Sequence, residues 1–344
     1  MTLIDDKIYN ILCIKPRGIG DIILSTIILD NLKSYFPFAK IDYLVDEFAK
    51  ESLELNPLVN KVLTMAKNEL SIKVALRLRK EKYDLVFDLW SNPRSAQITF
   101  LSGARFRVGF AYRGRKYAYN ILAPSSRGDH HSAEHNLELL NAAKIPVISR
   151  NISFYNDEKS NLWAKDFIRD KVPENKFIIG IVPSGGWSSK RCDASKWVEI
   201  CKSILLIYEA KFLILWGPGD EKDAEFINSN IPEHCILAPQ TDLFRLAGLI
   251  NNCKLVIAND SGPMHISVAL NIPTLGLFGP TNPLMHGPYS EKSDYVFKDD
   301  LFCIVCNLQK CRYNHECFLD LSLEKILTKI DNLIIFNNLD ISKK

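Results

Sequence analysis

The stretch KLVIANDSGPMHISVALNIPTLGLFGPTNP, Lys254–Pro283, decides the fold of this chain. An apolar strand at 255–258 leads into a polar turn at 259–262, Pro263 opens a helix, and a second apolar strand ends in a turn at 278–281. This order predicts a βαβ unit, whose first turn lies at the carboxyl edge of a parallel sheet. Free N–H groups at the start of the helix are able to hold a phosphate there. The alternative is an ordinary capped helix, because Asp, Ser and Gly are common before any helix.

The amino-terminal end of the chain is built in the same way. Residues 11–15 form a short apolar strand, 16–20 a glycine-containing turn, and Asp21 opens a helix with apolar residues at helical spacing. At 344 residues the chain exceeds the size at which one hydrophobic core usually keeps growing. This length favours two domains of about 160 residues each.

Several motifs in a fixed order resemble glycosyltransferase family 9, and its heptosyltransferase II-like members in particular. The quoted motifs are IKPRGIGDIILSTIILDNLKSYFP (14–37), KYDLVFDLWSNPRSAQITFLSGARFRVGF (82–110), SGGWSSKRCDASKW (184–197) and NDSGPMHISVALNIPTLGLFGPTNP (259–283). With a late cysteine cluster, the resemblance covers most of residues 8–325. It implies an α/β GT-B fold, in which two doubly wound, Rossmann-like parallel-sheet domains face a cleft.

The domain layout follows from this resemblance and from the loss of periodicity in mid-chain. We predict an N-terminal acceptor-binding domain at 1–165, a C-terminal nucleotide-sugar-binding domain at 172–325, and a helix and tail at 326–344. The polar, non-periodic chain at 149–161, or slightly later at 172–175, is the expected linker.

Alternating strands and helices in both halves predict one parallel sheet per domain, with ligands at the carboxyl edges. Strands are predicted at 9–15, 41–45, 84–89, 177–182, 211–215, 235–237, 254–258 and 274–278. Helices are predicted at 21–35, 47–54, 69–80, 133–143, 193–208, 220–229, 242–251 and 263–270.

Composition is that of an ordinary globular protein, with 47% hydrophobic and 24% charged residues. The net charge of +3 is too small to indicate nucleic-acid binding. The sequence has no uninterrupted apolar run of 18 residues, and its first ten residues are acidic where a signal peptide would be basic. A cytoplasmic location is therefore expected.

Asp21 is the predicted catalytic base. Inverting sugar transfer needs a group that takes the proton from the acceptor hydroxyl as that hydroxyl attacks the donor sugar. The spacing alone favours a helix N-cap for Asp21. The resemblance implies the catalytic role, because the family's Gly-Asp pair at this turn supplies its base.

Lys190 is the second predicted catalytic residue. A departing nucleoside diphosphate gains charge, which a lysine and helix-start N–H groups are able to stabilise without a metal. None of the predicted strands ends in an Asp-x-Asp pair, so catalysis is expected to need no cofactor. The alternative for Lys190 is a solvated surface lysine. By resemblance, Ser184, Gly185 and Gly186 correspond to the family's phosphate loop.

Other residues are predicted to bind the nucleotide sugar. Asp260 is expected to accept hydrogen bonds from sugar or ribose hydroxyls, because a diphosphate would repel it. Ser261 and Gly262 would then contact the phosphates. His265 either faces the diphosphate or packs inside the domain, and by resemblance Thr241 lies near the nucleobase.

Basic residues are concentrated between Ala104 and Gly128, without an acidic residue among them. Such a surface suits an acceptor that carries phosphates and carboxylates, and its aromatic residues suit sugar stacking or contact with a membrane surface. A solvated loop is the alternative. The cations are Arg105, Arg107, Arg113, Arg115, Lys116 and Arg127, of which Arg113, Arg115 and Lys116 are the main acceptor-binding candidates. Arg94 and Ser95 match the family's Arg-Ser pair and are acceptor-side candidates too.

Four of the nine cysteines lie within 15 residues, at Cys303, Cys306, Cys311 and Cys317. We call residues 303–317 the cysteine segment. Disulfides are not expected in a reducing compartment, and four thiols this close are able to bind a structural zinc or iron. Buried free thiols are the alternative.

The leading interpretation is an inverting, metal-independent glycosyltransferase that moves heptose from ADP-heptose to an anionic, lipid-linked inner-core lipopolysaccharide acceptor. Such an enzyme is expected in the cytoplasm, with peripheral contact at the inner face of the cytoplasmic membrane. A protein acceptor, such as an autotransporter adhesin, is the first alternative. A non-catalytic sugar-nucleotide-binding protein is the second, because one fold hosts many functions.

Overall fold

A computed structural model of the chain describes residues 7–125, 130–172 and 176–344. The chain divides into two compact units between Tyr155 and Asn156. The division falls within the linker predicted at 149–161. Residues 156–165, which the predicted layout gives to the first domain, belong to the second unit.

The first unit contains one six-stranded sheet in the order β3-β2-β1-β4-β5-β6. All five strand pairs are parallel. The strands are β1 Asn10–Ile14, β2 Lys40–Asp46, β3 Lys61–Met65, β4 Leu85–Asp88, β5 Phe106–Phe110 and β6 Ile121–Ala123. The α-helices are α1 Ile19–Ser25, α2 Leu29–Tyr35, α3 Ser71–Arg79, α4 Pro93–Leu101 and α5 Ser132–Ala142.

The second unit repeats this topology, with the sheet order β12-β11-β10-β7-β8-β9 and parallel pairing throughout. Its strands are β7 Phe177–Val182, β8 Ala210–Ile214, β9 Cys235–Leu237, β10 Leu255–Asn259, β11 Thr274–Phe278 and β12 Asp294–Phe297. Its α-helices are α6 Glu158–Arg169, α7 Ala194–Ile207, α8 Glu221–Asn230, α9 Leu243–Ile250, α10 Gly262–Ala269, α11 Pro283–His286, α12 Glu316–Leu319 and α13 Leu323–Phe336.

The strand order in each unit is that of a doubly wound α/β fold. The chain moves outward from β1 in one direction and then, from β4 onward, in the other, so a switch point lies between these two neighbouring strands. In the second unit the equivalent point lies between β7 and β10. The loops that follow these strands diverge at the switch points, and both sheets therefore offer a binding position there.

The predicted βαβ unit at 254–283 is confirmed as β10, α10 and β11. Val256, Ile257 and Ala258 of β10 are fully buried, as the apolar run predicts for a central parallel strand. Pro263 lies in the first turn of α10, where its missing N–H leaves no helical hydrogen bond unmade.

The helix predicted at 21–35 differs in the structure. It begins at Ile19 and is interrupted by a 3₁₀ turn at Thr26–Ile28 before α2. Ser25 and Thr26 donate their hydroxyl hydrogen bonds to the carbonyls of residues 22 and 23. Side chains that bond back to the helical backbone in this way often bend a helix, and this explains the interruption.

The other differences are an element of another type and several additional elements. The helix predicted at 47–54 is a 3₁₀ turn, Glu47–Ser52. The sequence analysis does not predict strands β3, β5, β6 and β12 or helices α4, α6, α11 and α12. The described residues include no helix long and apolar enough to cross a bilayer.

Candidate functional site

Lys190 and Asp260 form a buried ion pair at the switch point of the second unit. Lys190 follows β7 and Asp260 follows β10, and Lys190 Nζ lies 2.7 Å from Asp260 Oδ2. The side chains are 17% and 8% exposed, respectively. Thr281, after β11, donates a 2.6 Å hydrogen bond to the same oxygen. Three loops at the carboxyl edge of one sheet are thus joined through a single carboxylate.

The charge of Asp260 is stabilised by this pairing. Burial acts to raise the pKa of the Asp260 carboxyl, but Lys190, Thr281 and nearby His265 outweigh it, and the pKa lies below its usual value. Removing one partner of such a pair leaves an uncompensated buried charge, at a typical cost of about 3–5 kcal/mol. The pair is therefore a fixed part of the site.

The start of α10 is open in the way that anion binding requires. Ser261 is the N-cap residue, yet its side chain makes no capping hydrogen bond. Within the described part of the chain, the buried atoms Ser261 Oγ and Asn259 Oδ1 have no hydrogen-bond partner. Unsatisfied buried polar groups are rare, and at a helix N-terminus beside a lysine they indicate a place for a ligand.

The loop after β7 is held from both sides. Asn259 Nδ2 donates to the Pro183 carbonyl at 2.7 Å, across the switch point. Ser184 Oγ accepts from the Gly217 amide at 3.2 Å. Arg191 donates to the Gly185 carbonyl at 3.1 Å. The predicted phosphate loop therefore lies directly beside the Lys190–Asp260 pair.

Gly185 and Gly186 have different structural roles. A Cβ on Gly185 would lie 3.2 Å from the Lys190 backbone, whereas a Cβ on Gly186 would meet no atom within 4 Å. Gly185 is needed for the fold of the loop itself. Gly186 is exposed, so a side chain would be tolerated there.

Two residues predicted to bind the nucleotide sugar, His265 and Thr241, differ in their relation to the Lys190–Asp260 pair. His265 is buried in α10, one turn after Gly262, and is close enough to Asp260 to contribute to lowering the pKa of that carboxyl. Thr241 lies just before Asp242, the N-cap of α9, after the edge strand β9. The described contacts do not connect Thr241 with the ion pair.

Asp21 lies at the switch point of the first unit, but not as a helix cap. Gly18 is the N-cap of α1, and Asp21 is the third residue of the helix. The expectation that Asp21 opens the helix is therefore wrong by two residues. The Asp21 side chain is 43% exposed, and its Oδ1 lies 3.9 Å from Lys15 Nζ.

Gly18 makes room for the Asp21 carboxylate. Its φ is +80°, which favours glycine, and a Cβ at this position would lie 2.3 Å from Asp21 Oδ2. The glycine before the Gly-Asp pair is thus required by the placement of the carboxylate.

Lys15 contacts both Leu89 and Asp21, and the sequence analysis does not predict this role. Its ammonium donates to the Leu89 carbonyl at 3.2 Å and lies 5.0 Å from the centre of the Trp90 ring. It therefore connects the loops after β1 and β4 and places a buried positive charge beside Asp21. The sequence feature that could have indicated this role is a single lysine directly after the apolar strand β1.

A buried carboxylate orders the loop after β4. Asp88 is fully buried and accepts hydrogen bonds from the Ser91 amide (2.7 Å) and the Tyr119 hydroxyl (2.7 Å). Burial raises the pKa of the Asp88 carboxyl, although these hydrogen bonds partly counter it. Arg115 donates to the Ser91 carbonyl at 3.0 Å.

The predicted acceptor residues divide into two groups. Arg94 donates to the carbonyls of residues 66, 67 and 69, and Ser95 is buried in a capping box with Asn92, so both support the local backbone. Arg113 and Lys116 are exposed after the carboxyl end of β5. Arg115 is partly engaged by Ser91, and Arg127 lies outside the described residues.

The four cysteines of the cysteine segment line one small pocket together with His315 and Glu316. Among the described residues, however, no three His, Cys, Asp or Glu side chains are arranged to hold a metal ion. The side chains as they lie do not fit a zinc or iron site. A metal at these cysteines stays a prediction.

Comparisons with known proteins agree with this architecture. The E. coli ADP-heptose lipopolysaccharide heptosyltransferase II structure matches with a TM-score of 0.78 and 21% identity, over 96% of this chain and 99% of that chain. E. coli heptosyltransferase WaaC, solved with ADP-2-deoxy-2-fluoro heptose, matches with a TM-score of 0.69 and 17% identity, over 94% and 99%. The two doubly wound units define a GT-B protein.

The sequence comparisons specify the family. The model for glycosyltransferase family 9 (heptosyltransferase) matches residues 71–316, more than half of the chain. Lipooligosaccharide heptosyltransferase 2 of Haemophilus influenzae is 27% identical over 94% of this chain and 99% of that protein. The chain belongs to glycosyltransferase family 9 and is a glycosyltransferase.

The ion pair predicts a pH dependence of stability. Because the pKa of Asp260 is lowered on folding, the stability it contributes is present above the unfolded-state pKa of about 4 and is lost as the pH falls through the folded-state value. Asp260→Asn should therefore destabilise the protein most above about pH 5, and progressively less towards pH 3. Denaturant unfolding of both proteins across this range measures the difference.

The matched control is Asp166→Asn, on an exposed position of α6. It should leave the pH dependence of the parent protein unchanged. A destabilisation by Asp260→Asn that is equal at pH 6 and pH 3 would contradict the assigned ion pair.

Proposed function

We propose that this protein is an inverting, metal-independent glycosyltransferase that moves heptose from ADP-heptose to an inner-core lipopolysaccharide acceptor. The H. influenzae relative is named as a lipooligosaccharide heptosyltransferase, which supports the acceptor class. The WaaC structure with an ADP-heptose analogue supports the donor. An acceptor of this kind is lipid-linked, so the enzyme would act at the cytoplasmic face of the inner membrane.

The Lys190–Asp260 pair beside the open start of α10 carries this proposal. An ammonium has three N–H donors, and the contact with Asp260 uses one of them. The others are available to a diphosphate, together with the uncapped N–H groups of α10. Lys190 and Thr281 both bind Asp260 Oδ2, so we assign Oδ1 to a sugar or ribose hydroxyl.

In this mechanism the two catalytic residues act on opposite sides of the breaking bond. Asp21 takes the proton from the acceptor hydroxyl as the oxygen attacks the anomeric carbon. Lys190 and the α10 amides stabilise the charge that develops on the leaving ADP. Lys15 Nζ lies 3.9 Å from Asp21 Oδ1 and helps to hold the carboxylate in place.

Nucleotide selectivity is the first test of this function. ADP should raise the melting temperature of the protein more than equal concentrations of UDP or GDP, because a ligand that binds only the folded state stabilises it. Scanning calorimetry at several concentrations gives the comparison. A larger shift with UDP or GDP would remove ADP-heptose as the donor.

The second test concerns the base. Asp21→Asn should lower turnover by about 100-fold or more, because an amide cannot accept the acceptor proton, while ADP affinity stays nearly unchanged. Steady-state rates and calorimetric titration with ADP separate the two effects. Since Gly18, and not Asp21, caps α1, the variant removes no capping hydrogen bond. Near-normal turnover would remove Asp21 as the base.

Metal independence is tested by chelation. With Lys190 and backbone N–H groups at the leaving diphosphate, turnover should survive excess EDTA. Activity that is lost with EDTA and restored by Mg²⁺ would refute this part of the proposal.

The acceptor surface is tested at Arg113 and Lys116, which are exposed and basic. Changing both to alanine should raise the acceptor KM and flatten its salt dependence, while the donor KM stays constant, because exposed charges act over about 8 Å at physiological ionic strength. Lys7→Ala with Lys40→Ala is the control, since these exposed lysines lie at the opposite, amino edge of the sheet. An unchanged acceptor KM would favour a less anionic acceptor, such as a protein.

A further inference from the structure

The cysteine segment makes direct contact with the turn that carries Lys190. This turn is the 3₁₀ segment Ser188–Lys190. The Ser189 amide donates to the Gln309 carbonyl at 3.3 Å, and the Ser188 hydroxyl donates to the same carbonyl at 3.1 Å. The Ser189 hydroxyl donates to the Leu308 carbonyl. Lys190 is thus one residue from a backbone connection to the cysteine segment.

The same segment also contacts the turn that leads to Thr281. The Val305 amide donates to the Gly279 carbonyl at 3.3 Å, and the Asn307 amide donates to the Pro280 carbonyl at 2.8 Å. A Cβ on Gly279 would lie 2.7 Å from Cys317 Sγ, so the segment packs tightly on this turn. Both neighbours of the Asp260 carboxylate, Lys190 and Thr281, are therefore carried by loops that the segment supports.

His315 is the side chain at the centre of these contacts. Its Nε2 lies 2.9 Å from the Ser189 carbonyl oxygen and its Nδ1 lies 2.8 Å from Asp193 Oδ2. The imidazole is 15% exposed and packs edge-on against the buried Phe318 ring at 5.0 Å. It therefore bridges the two ends of the stretch 189–193, which contains Lys190.

Two local preferences are given up at this contact. His315 has a φ of +64°, in the left-handed region that non-glycine residues rarely adopt. Asp193 is the N-cap of α7, but its carboxylate makes no capping hydrogen bond and faces His315 instead. The contact between His315 and Asp193 forms although it costs a favourable backbone conformation and a helix cap. The packing of the cysteine segment therefore determines this contact.

We propose that His315 is a positioning residue for Lys190. It holds the turn 188–190 against the cysteine segment, at the position from which the Lys190 ammonium reaches Asp260 and the leaving diphosphate. This inference rests on the proposed function, because it takes Lys190 as the group that stabilises the leaving ADP. His315 itself touches neither substrate in this assignment.

A double-mutant cycle tests the inference. His315→Ala should lower kcat by about 10-fold or more and leave the acceptor KM unchanged. In the Lys190→Ala background the same change should lower kcat by less than about 2-fold, because the residue that His315 positions is already absent. Steady-state kinetics of the parent, both single variants and the double variant provide the four rates.

The outcomes separate the inference from the proposed function. A normal kcat for Lys190→Ala would overturn the inference and the assigned role of Lys190, while the transfer activity itself would stand; absence of any transfer from ADP-heptose by the parent protein would overturn the proposed function. A slow Lys190→Ala protein with a normal His315→Ala protein would overturn the positioning role alone. Losses that multiply in the double variant would also overturn it, since independent residues act additively in free energy.

Further variants distinguish positioning from a general loss of structure. His315→Gln keeps a donor for the Ser189 carbonyl and should recover part of kcat. Asp193→Ala removes the contact of His315 with the Asp193 carboxylate but no capping hydrogen bond, and it should also lower kcat. This variant tests the inference if His315→Ala fails to fold. Lys310→Ala, exposed in the same segment, should keep kcat within about 2-fold. Equal losses in Lys310→Ala and His315→Ala would refute the role of His315.

Discussion

The ion pair between Lys190 and Asp260 is the contact on which the candidate site of the second unit depends. It joins the loops after β7 and β10 at the point where the chain changes direction across the sheet. A buried carboxylate is tolerated there only with a positive partner and hydrogen bonds, and Thr281 supplies one of these. The loop positions, the open helix start and the lysine geometry are consequently fixed together.

The first unit uses the same topology for different chemistry. Its switch point is bridged by Lys15 and the Leu89 carbonyl, and its carboxylate, Asp21, is nearly half exposed. The two carboxylates therefore differ in exposure, with 43% of the Asp21 side chain and 8% of the Asp260 side chain open to solvent.

The site residues were predictable where a single turn contains them. The motif at 259–263 gives Asp260, Ser261, Gly262 and the helix start in consecutive positions, because the geometry of a βα turn is local. At Asp21 the local pattern was misleading. Gly18 and Ile19 carry no capping side chain, so the sequence predicted a helix that begins at Asp21, whereas α1 begins two residues earlier, at Ile19. Arg94 and Ser95 match a motif, yet the structure uses both to support the backbone.

The sequence by itself determined the alternation of strands and helices, the two-domain class, the family and the polar turns that follow the strands. The family follows from the resemblance of several motifs in order and the two-domain class from the chain length, whereas the elements and turns depend on periodicity and turn chemistry, which act between near neighbours in the chain. The tertiary structure decided which turns meet. Lys190 is 70 residues from Asp260, and His315 is 126 residues from Ser189, so their pairing depends on sheet order and on the packing of the cysteine segment.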